Sequence, residues 1–238
     1  MKGKKTCNKC DCVCGARSLK CPSCGTEFIR KNSYSSMKDR HIFSLSKLVQ
    51  LFKMKNKERE VLGSDPFVTR LPTFCEQYTE SLSAHFLQNT FPEFEYTRNK
   101  NTLNNLSEGD KLMLDNAPKD SYDIIEQRKG FIELWEAKSS FSNSGDCSSF
   151  SPKNIAKNII FARGEVENNV MTGNISFWWF TSDKMPDIII NKSKNQTFED
   201  QQSQGRRPRF SVEQKIISKG MAECIGEINI YDIKKDWS

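Results

Sequence analysis

Histidine is scarce in this chain: 238 residues contain two, His41 and His85, each isolated. That scarcity argues against a Ser-His-Asp constellation for acyl transfer, and no glycine-rich phosphate loop marks an ATPase or a dinucleotide-binding enzyme. Long apolar runs are missing too. No segment approaches the roughly 18 residues of a membrane helix, and mean hydropathy is -0.66, so a membrane partner is not expected. Met1 to Cys10 is basic and polar, without the apolar stretch of a secretory signal. A reducing, cytoplasmic compartment is the expectation. Internal repeats and long low-complexity tracts are also absent.

What remains is an ordinary globular composition, 36% hydrophobic and 28% charged, at a length suited to one medium domain with a small module. The formal net charge is +6, unevenly spread: fifteen of the thirty-six basic residues but only five of the thirty acidic ones lie at or before Glu60. A basic field so concentrated favours a polyanion, most often nucleic acid, through phosphate neutralisation and counterion release.

Six of the nine cysteines fall between Cys7 and Cys24. Cys7-x2-Cys10 and Cys21-x2-Cys24 form two knuckles, each able to offer two thiolates to one zinc ion, and ten residues between them suffice to close a tetrahedral site. Gly15 and Gly25 suit the tight turns. Cys12 and Cys14 are rivals for the first pair, through Cys10-x3-Cys14 or Cys12-x-Cys14. Cys75, Cys147 and Cys224 are isolated and read as buried thiols. Cys21 to Phe28 resembles the short zinc ribbons that end in Cys-Pro-x-Cys-Gly-x-x-Phe. Four thiolates leave no open position, which implies structural zinc and docking onto nucleic acid or protein.

The chain then divides into a ribbon at 1–32, a basic linker with a short helix over Ile42 to Phe52 at 33–65, and a main domain at 66–238. Leu71, Phe74, Cys75, Tyr78, Leu82 and Phe86 recur at helical spacing, with Glu76 and Glu80 on the polar side. Tyr122 to Ile125 and Gly130 to Lys138 read as two strands of a hairpin. Ile155, Ile159, Ala162, Val166 and Val170 suggest a helix over Pro152 to Val170. Strands follow at Asn174 to Thr181, Asp187 to Asn191 and Ile225 to Ile233, with a polar basic loop at Gln201 to Arg209 and a helix at Val212 to Gly220. Trp178 and Trp179 read as core. This order predicts an α/β (α+β) domain with a central mixed sheet flanked by helices.

Side chains alternate along a strand, so Glu136 and Lys138 share one face with Ile132 and Leu134. With Asp123 on the neighbouring strand, two carboxylates and an ammonium meet at the end of an apolar element. Such a set suits magnesium, which takes one or two carboxylates and completes its shell with water and phosphate oxygens. Lys138 would orient or deprotonate the attacking water.

An Asp followed by Glu136-Ala137-Lys138 resembles the PD-(D/E)XK nuclease superfamily, and within it the type II restriction endonucleases, over about Leu71 to Ile233. The motif's proline does not directly precede Asp123. Pro118-Lys119-Asp120 lies upstream and leaves Asp120 as a rival metal ligand. The resemblance implies a magnesium-dependent, sequence-specific endonuclease for double-stranded DNA, leaving 5′-phosphate and 3′-hydroxyl ends and acting as a homodimer. Asp123 and Glu136 would hold magnesium, and Lys138 would assist the water. Ser139, Ser140 and Asn143 after the motif, and Arg206, Arg207 and Arg209 further on, are candidate DNA contacts. Two other readings stand beside it: a nuclease for branched or damaged DNA, and a non-catalytic zinc-ribbon regulator.

Overall fold

The computed structural model describes residues 4–7, 9–15, 18, 20–26, 45–62, 73–141, 146–168 and 170–232. The chain divides into two compact units, Met1–Arg40 and His41–Ser238. In the first, β1 (Lys4–Thr6) pairs antiparallel with β2 (Val13–Gly15), setting Lys5 opposite Cys14. A tight turn joins them: the Asp11 N–H donates to Cys7 O at 2.9 Å and the Cys7 N–H to Cys12 O at 3.0 Å. Asp11 takes the left-handed conformation at φ 53, and Gly25 does the same in the second knuckle at φ 68. Gly15 ends β2 rather than turning, so only Gly25 fills the role expected of the two glycines.

The second unit begins with α1 (Leu45–Leu62), α2 (Thr73–Thr90), β3 (Glu95–Thr97), α3 (Glu108–Asn116), β4 (Ile124–Arg128) and β5 (Phe131–Ser140). It continues through β6 (Ser148–Ser149), β7 (Asn158–Glu167), β8 (Val170–Thr181), β9 (Ile189–Asn191) and β10 (Gln196–Thr197). Then come α4 (Phe198–Ser203), β11 (Arg209–Phe210), α5 (Val212–Lys215) and β12 (Glu223–Asn229). A six-stranded mixed sheet in the order β12-β8-β7-β5-β4-β3 forms its centre. Only the β5–β7 pairing within it is parallel. The expected α/β layering is therefore present.

Ile159, Ile160, Phe161 and Ala162 of β7 are all fully buried, because the strand is covered on both faces. Ile160 and Ala162 pack with Leu48 and Phe52 of α1 and Leu82, Phe86 and Leu87 of α2. Ile159 and Phe161 face Phe150, Phe180, Phe198, Phe210 and Val212. Each such large apolar side chain contributes about 1.5–3 kcal/mol over leaving it in water. Asn56 adds two hydrogen bonds to the Met171 backbone, at 2.8 and 2.9 Å. The helix expected over Ile42 to Phe52 is thus an 18-residue element of the main core rather than a connector.

Several expectations are corrected. The span read as a helix over Pro152 to Val170 is mostly β7. A strand buried on both faces loses its polar alternation, and apolar residues four apart then imitate a helical stripe. The stretch read as a loop over Gln201 to Arg209 opens inside α4, whose first turn carries a capping box between Thr197 and Asp200. Cys147 and Cys224 are exposed, not buried; the Cys75 side chain lies outside the described residues. Trp178 and Trp179 do pack against the two core clusters, half-buried, with their indole N–H groups donating to Ser176 Oγ and Asn158 Oδ1. No helix among the described residues is long and apolar enough to cross a membrane.

Gly164 of β7 lies under the Phe141 ring, where a Cβ would fall 1.9 Å from a ring carbon. Phe141 is itself buried directly after β5. Gly164→Ala is therefore expected to cost about 1–3 kcal/mol of stability, read as a lower urea midpoint.

Candidate active site and cysteine cluster

The β4–β5 ladder sets Ile124 against Trp135 and Ile125 against Leu134. One step earlier, the Asp123 N–H donates to Trp135 O at 2.9 Å, so Asp123 sits just ahead of β4 rather than inside it and opposes Glu136. Its Oδ2 accepts the Ala137 N–H at 3.0 Å, which locks the carboxylate across the hairpin. Lys138 Nζ donates to Glu136 Oε1, and to Ala137 O at 3.3 Å. Asp123, Glu136 and Lys138 are thus brought together. Asp120 is an exposed turn residue at φ 61.

Glu136 is 4% exposed, on a strand whose neighbours are largely apolar. Burial, then the negative charge of Asp123, pushes its carboxyl up to about 7 against the opposing pull of Lys138. Burial is also the largest influence on Lys138 and favours the neutral amine. The carboxylates of Glu136 and Asp123 outweigh it and hold the ammonium above its ordinary range. Two carboxylates against one ammonium leave the ionised cluster with an excess negative charge in a desolvated place. That donor set fits a hard divalent cation, with Asp123 and Glu136 as its ligands.

Glu80 is a residue that the sequence reading placed in solvent. In the structure its side chain is 24% exposed and ion-paired with Arg98, and its charge acts on both Glu136 and Lys138. Arg98 also donates to Ser81 Oγ at 2.6 Å. The oversight has a physical cause: α2 buries Thr79, Ser81 and Ser83 beside Leu82 and Phe86, so its buried face is wider than the apolar stripe alone. The small hydroxyl residues were the available signal. The Glu76 side chain lies outside the described residues.

On the far side of Lys138, the Phe150 ring centre is 5.4 Å from Nζ, a cation–π contact. Phe150 follows β6, which pairs with β11 so that Ser149 opposes Arg209, and the Phe150 N–H donates to Pro208 O at 3.0 Å. This pairing ties the exposed Arg206, Arg207 and Arg209 to the segment that covers Lys138. Asp146 fastens the same segment by accepting from Ser211 Oγ and from the Val212 and Glu213 N–H groups at the start of α5. Ser139 shares a hydrogen bond with Thr79 at 3.0 Å, Ser140 is buried, and Asn143 lies outside the described residues. A cavity of about 430 Å³ lined by Phe91, Tyr96, Trp135 and Trp179 opens on the opposite face from Glu136, since Trp135 alternates with it.

In the first unit the sulfurs of Cys7, Cys10, Cys21 and Cys24 lie within 4.8 Å of one another. Cys7 is 3.5 Å from Cys24, and Cys10 is 3.5 Å from Cys21. Zn–S bonds of about 2.3 Å put tetrahedral sulfurs about 3.8 Å apart, and disulfides about 2.05 Å, so the spacing suits a metal. The Cys24 and Ser23 N–H groups help pull the Cys21 thiol down to about 6, and the Thr26 hydroxyl and N–H lower Cys24. The neighbouring thiols push Cys10 up to about 12 instead, so without a metal the four sulfurs share protons unequally, with the thiolate favoured at Cys21 and Cys24.

Residues 81–219, more than half of the chain and inclusive of Asp123, Glu136 and Lys138, match the sequence model of the Bsp6I restriction endonuclease family. The chain belongs to that family. It is 33% identical over 96 residues to the type II restriction enzyme Bsp6I of Bacillus sp. (strain RFL6), covering 40% of this chain. The chain spans about half of that relative's length, 52%. No solved structure matches it.

The raised carboxyl has a sign that stability measurements can read. Between about pH 4.5 and 7 the folded chain keeps a proton on Glu136 that the unfolded chain has lost. Stability of the metal-free protein therefore falls as pH rises through that window, by on the order of 3 kcal/mol from this group. Thermal unfolding in EDTA should show the slope in the wild type, and Glu136→Gln should flatten it.

Proposed function

We propose that this protein is a magnesium-dependent, sequence-specific endonuclease of the type II restriction kind, hydrolysing both strands of double-stranded DNA to 5′-phosphate and 3′-hydroxyl ends. The observation that carries the reading is the Asp123, Glu136 and Lys138 cluster, gathered by one hairpin inside the stretch that matches the restriction endonuclease family. The curated relative, named a type II restriction enzyme, supports it.

Asp123 and Glu136 are the residues that would hold magnesium. When bound, magnesium supplies positive charge beside the scissile phosphate and favours an ionised nucleophile. Lys138, kept cationic by its two carboxylate neighbours, orients the attacking water and neutralises charge that builds on the phosphate oxygens. Because the ammonium holds its proton, orientation rather than proton abstraction is its role. Phe150 keeps one side of that ammonium from water. Arg206, Arg207 and Arg209 clamp phosphates or read guanine edges, and Ser139 and Asn143 lie on the segment that meets the duplex. Ser140, being buried, supports the strand.

Cys7, Cys10, Cys21 and Cys24 hold structural zinc, and the basic N-terminal field around them adds DNA affinity. Two copies acting as a homodimer cut the two strands of a palindromic site.

Long duplex DNA incubated with the protein and magnesium should yield discrete fragments, and EDTA should abolish them. Asp123→Asn, Glu136→Gln and Lys138→Ala should each slow cleavage at least about 100-fold while leaving the fold intact by circular dichroism. Full activity in these variants would sink the assignment. Intact linear DNA beside cleaved branched DNA would shift it to a structure-selective nuclease. Cys24→Ser should lower both zinc content and DNA affinity, with a shallower salt dependence in filter binding.

A further inference from the structure

We propose that the cysteine cluster holds a second zinc ion, bound by Cys12, Cys14 and Cys21, with the Cys21 thiolate bridging it to the ion held by Cys7, Cys10, Cys21 and Cys24. This rests on the reading of the four-thiolate set as a zinc site. The sulfurs of Cys12, Cys14 and Cys21 also lie within 4.8 Å of one another, and the two sets share only Cys21. Cys14 Sγ is 4.0 Å from Cys21 Sγ, close to the tetrahedral edge of about 3.8 Å.

Local backbone geometry explains the second set. Cys12 and Cys14 are two residues apart on extended chain entering β2, so their thiols project from the same face. Cys14 is buried, and among the described residues of this unit the buried side chains are Cys7, Cys14 and Cys21. The interior of the module is thus made of sulfur, and without a metal Cys14 buries its thiol with little apolar gain.

The charges also balance. One zinc with four thiolates carries a net charge of −2. A second Zn²⁺ arrives as the Cys12 and Cys14 thiols release two protons to solvent, so the cluster gains an ion at no net cost in charge. The segment that carries the cluster is itself lysine-rich in sequence, which favours a net negative metal centre. Three protein ligands leave one coordination position to water, and Cys12 is half-exposed, so this position faces solvent. The second ion is therefore the more exchangeable of the two.

The test is metal content of the full-length protein by mass spectrometry, with ¹¹³Cd NMR of the cadmium-exchanged protein. Two ions per chain are expected, with two cadmium resonances split by each other through the shared sulfur. Cys12→Ser and Cys14→Ser should each retain one ion and one unsplit resonance. One ion per wild-type chain, unchanged in both variants, overturns the second site and leaves the four-thiolate reading standing. No bound zinc at all overturns both.

Discussion

The antiparallel ladder between β4 and β5 holds Ile124 against Trp135, and with it Asp123 against Glu136. A strand's side chains alternate with period two, so a slip of one residue would turn Glu136 and Lys138 to the opposite face and leave Asp123 beside a hydrophobic residue. The hydrogen bond from the Ala137 N–H to Asp123 fixes the same register from the side-chain end. Parallel pairing with the buried first half of β7 then anchors β5 in the centre of the sheet, and paired backbone supports the charged residues.

That anchoring places Glu136 where water is scarce. The folded protein accepts an unfavourable arrangement there, a carboxylate held near neutral protonation next to another carboxylate, with an ammonium as partial compensation. Such strain in charge is typical of sites whose proper complement includes a cation. The surrounding residues are arranged to the same end. Glu80 with Arg98 on one side, and Phe150 with the β6–β11 pairing on the other, enclose Lys138 and bring the arginine-bearing loop into the same neighbourhood.

Legibility followed the range of the interactions. Glu136-Ala137-Lys138 could be read because strand alternation is local, and Asp123 because a hairpin brings near neighbours together. The cysteine knuckles were legible for the same reason: only two residues separate the thiols within each pair. β7 was misread because burial on both faces erased the alternation that marks a strand, a fact set by helices far away in sequence. Glu80 was misplaced because α2 buries serine and threonine as well as apolar residues, so its inward face is broader than hydropathy implies.

The sequence by itself determined the basic N-terminal field, the thiol-rich module and the Glu-x-Lys strand, since each depends on composition or on contacts a few residues apart. The tertiary structure alone decided that α1 belongs to the core, that Glu80 and Phe150 border Lys138, and that the Arg206 to Arg209 segment is tied to Phe150 through the β6–β11 pairing. Those outcomes depend on strand register and on packing between elements dozens of residues apart, which no local pattern encodes.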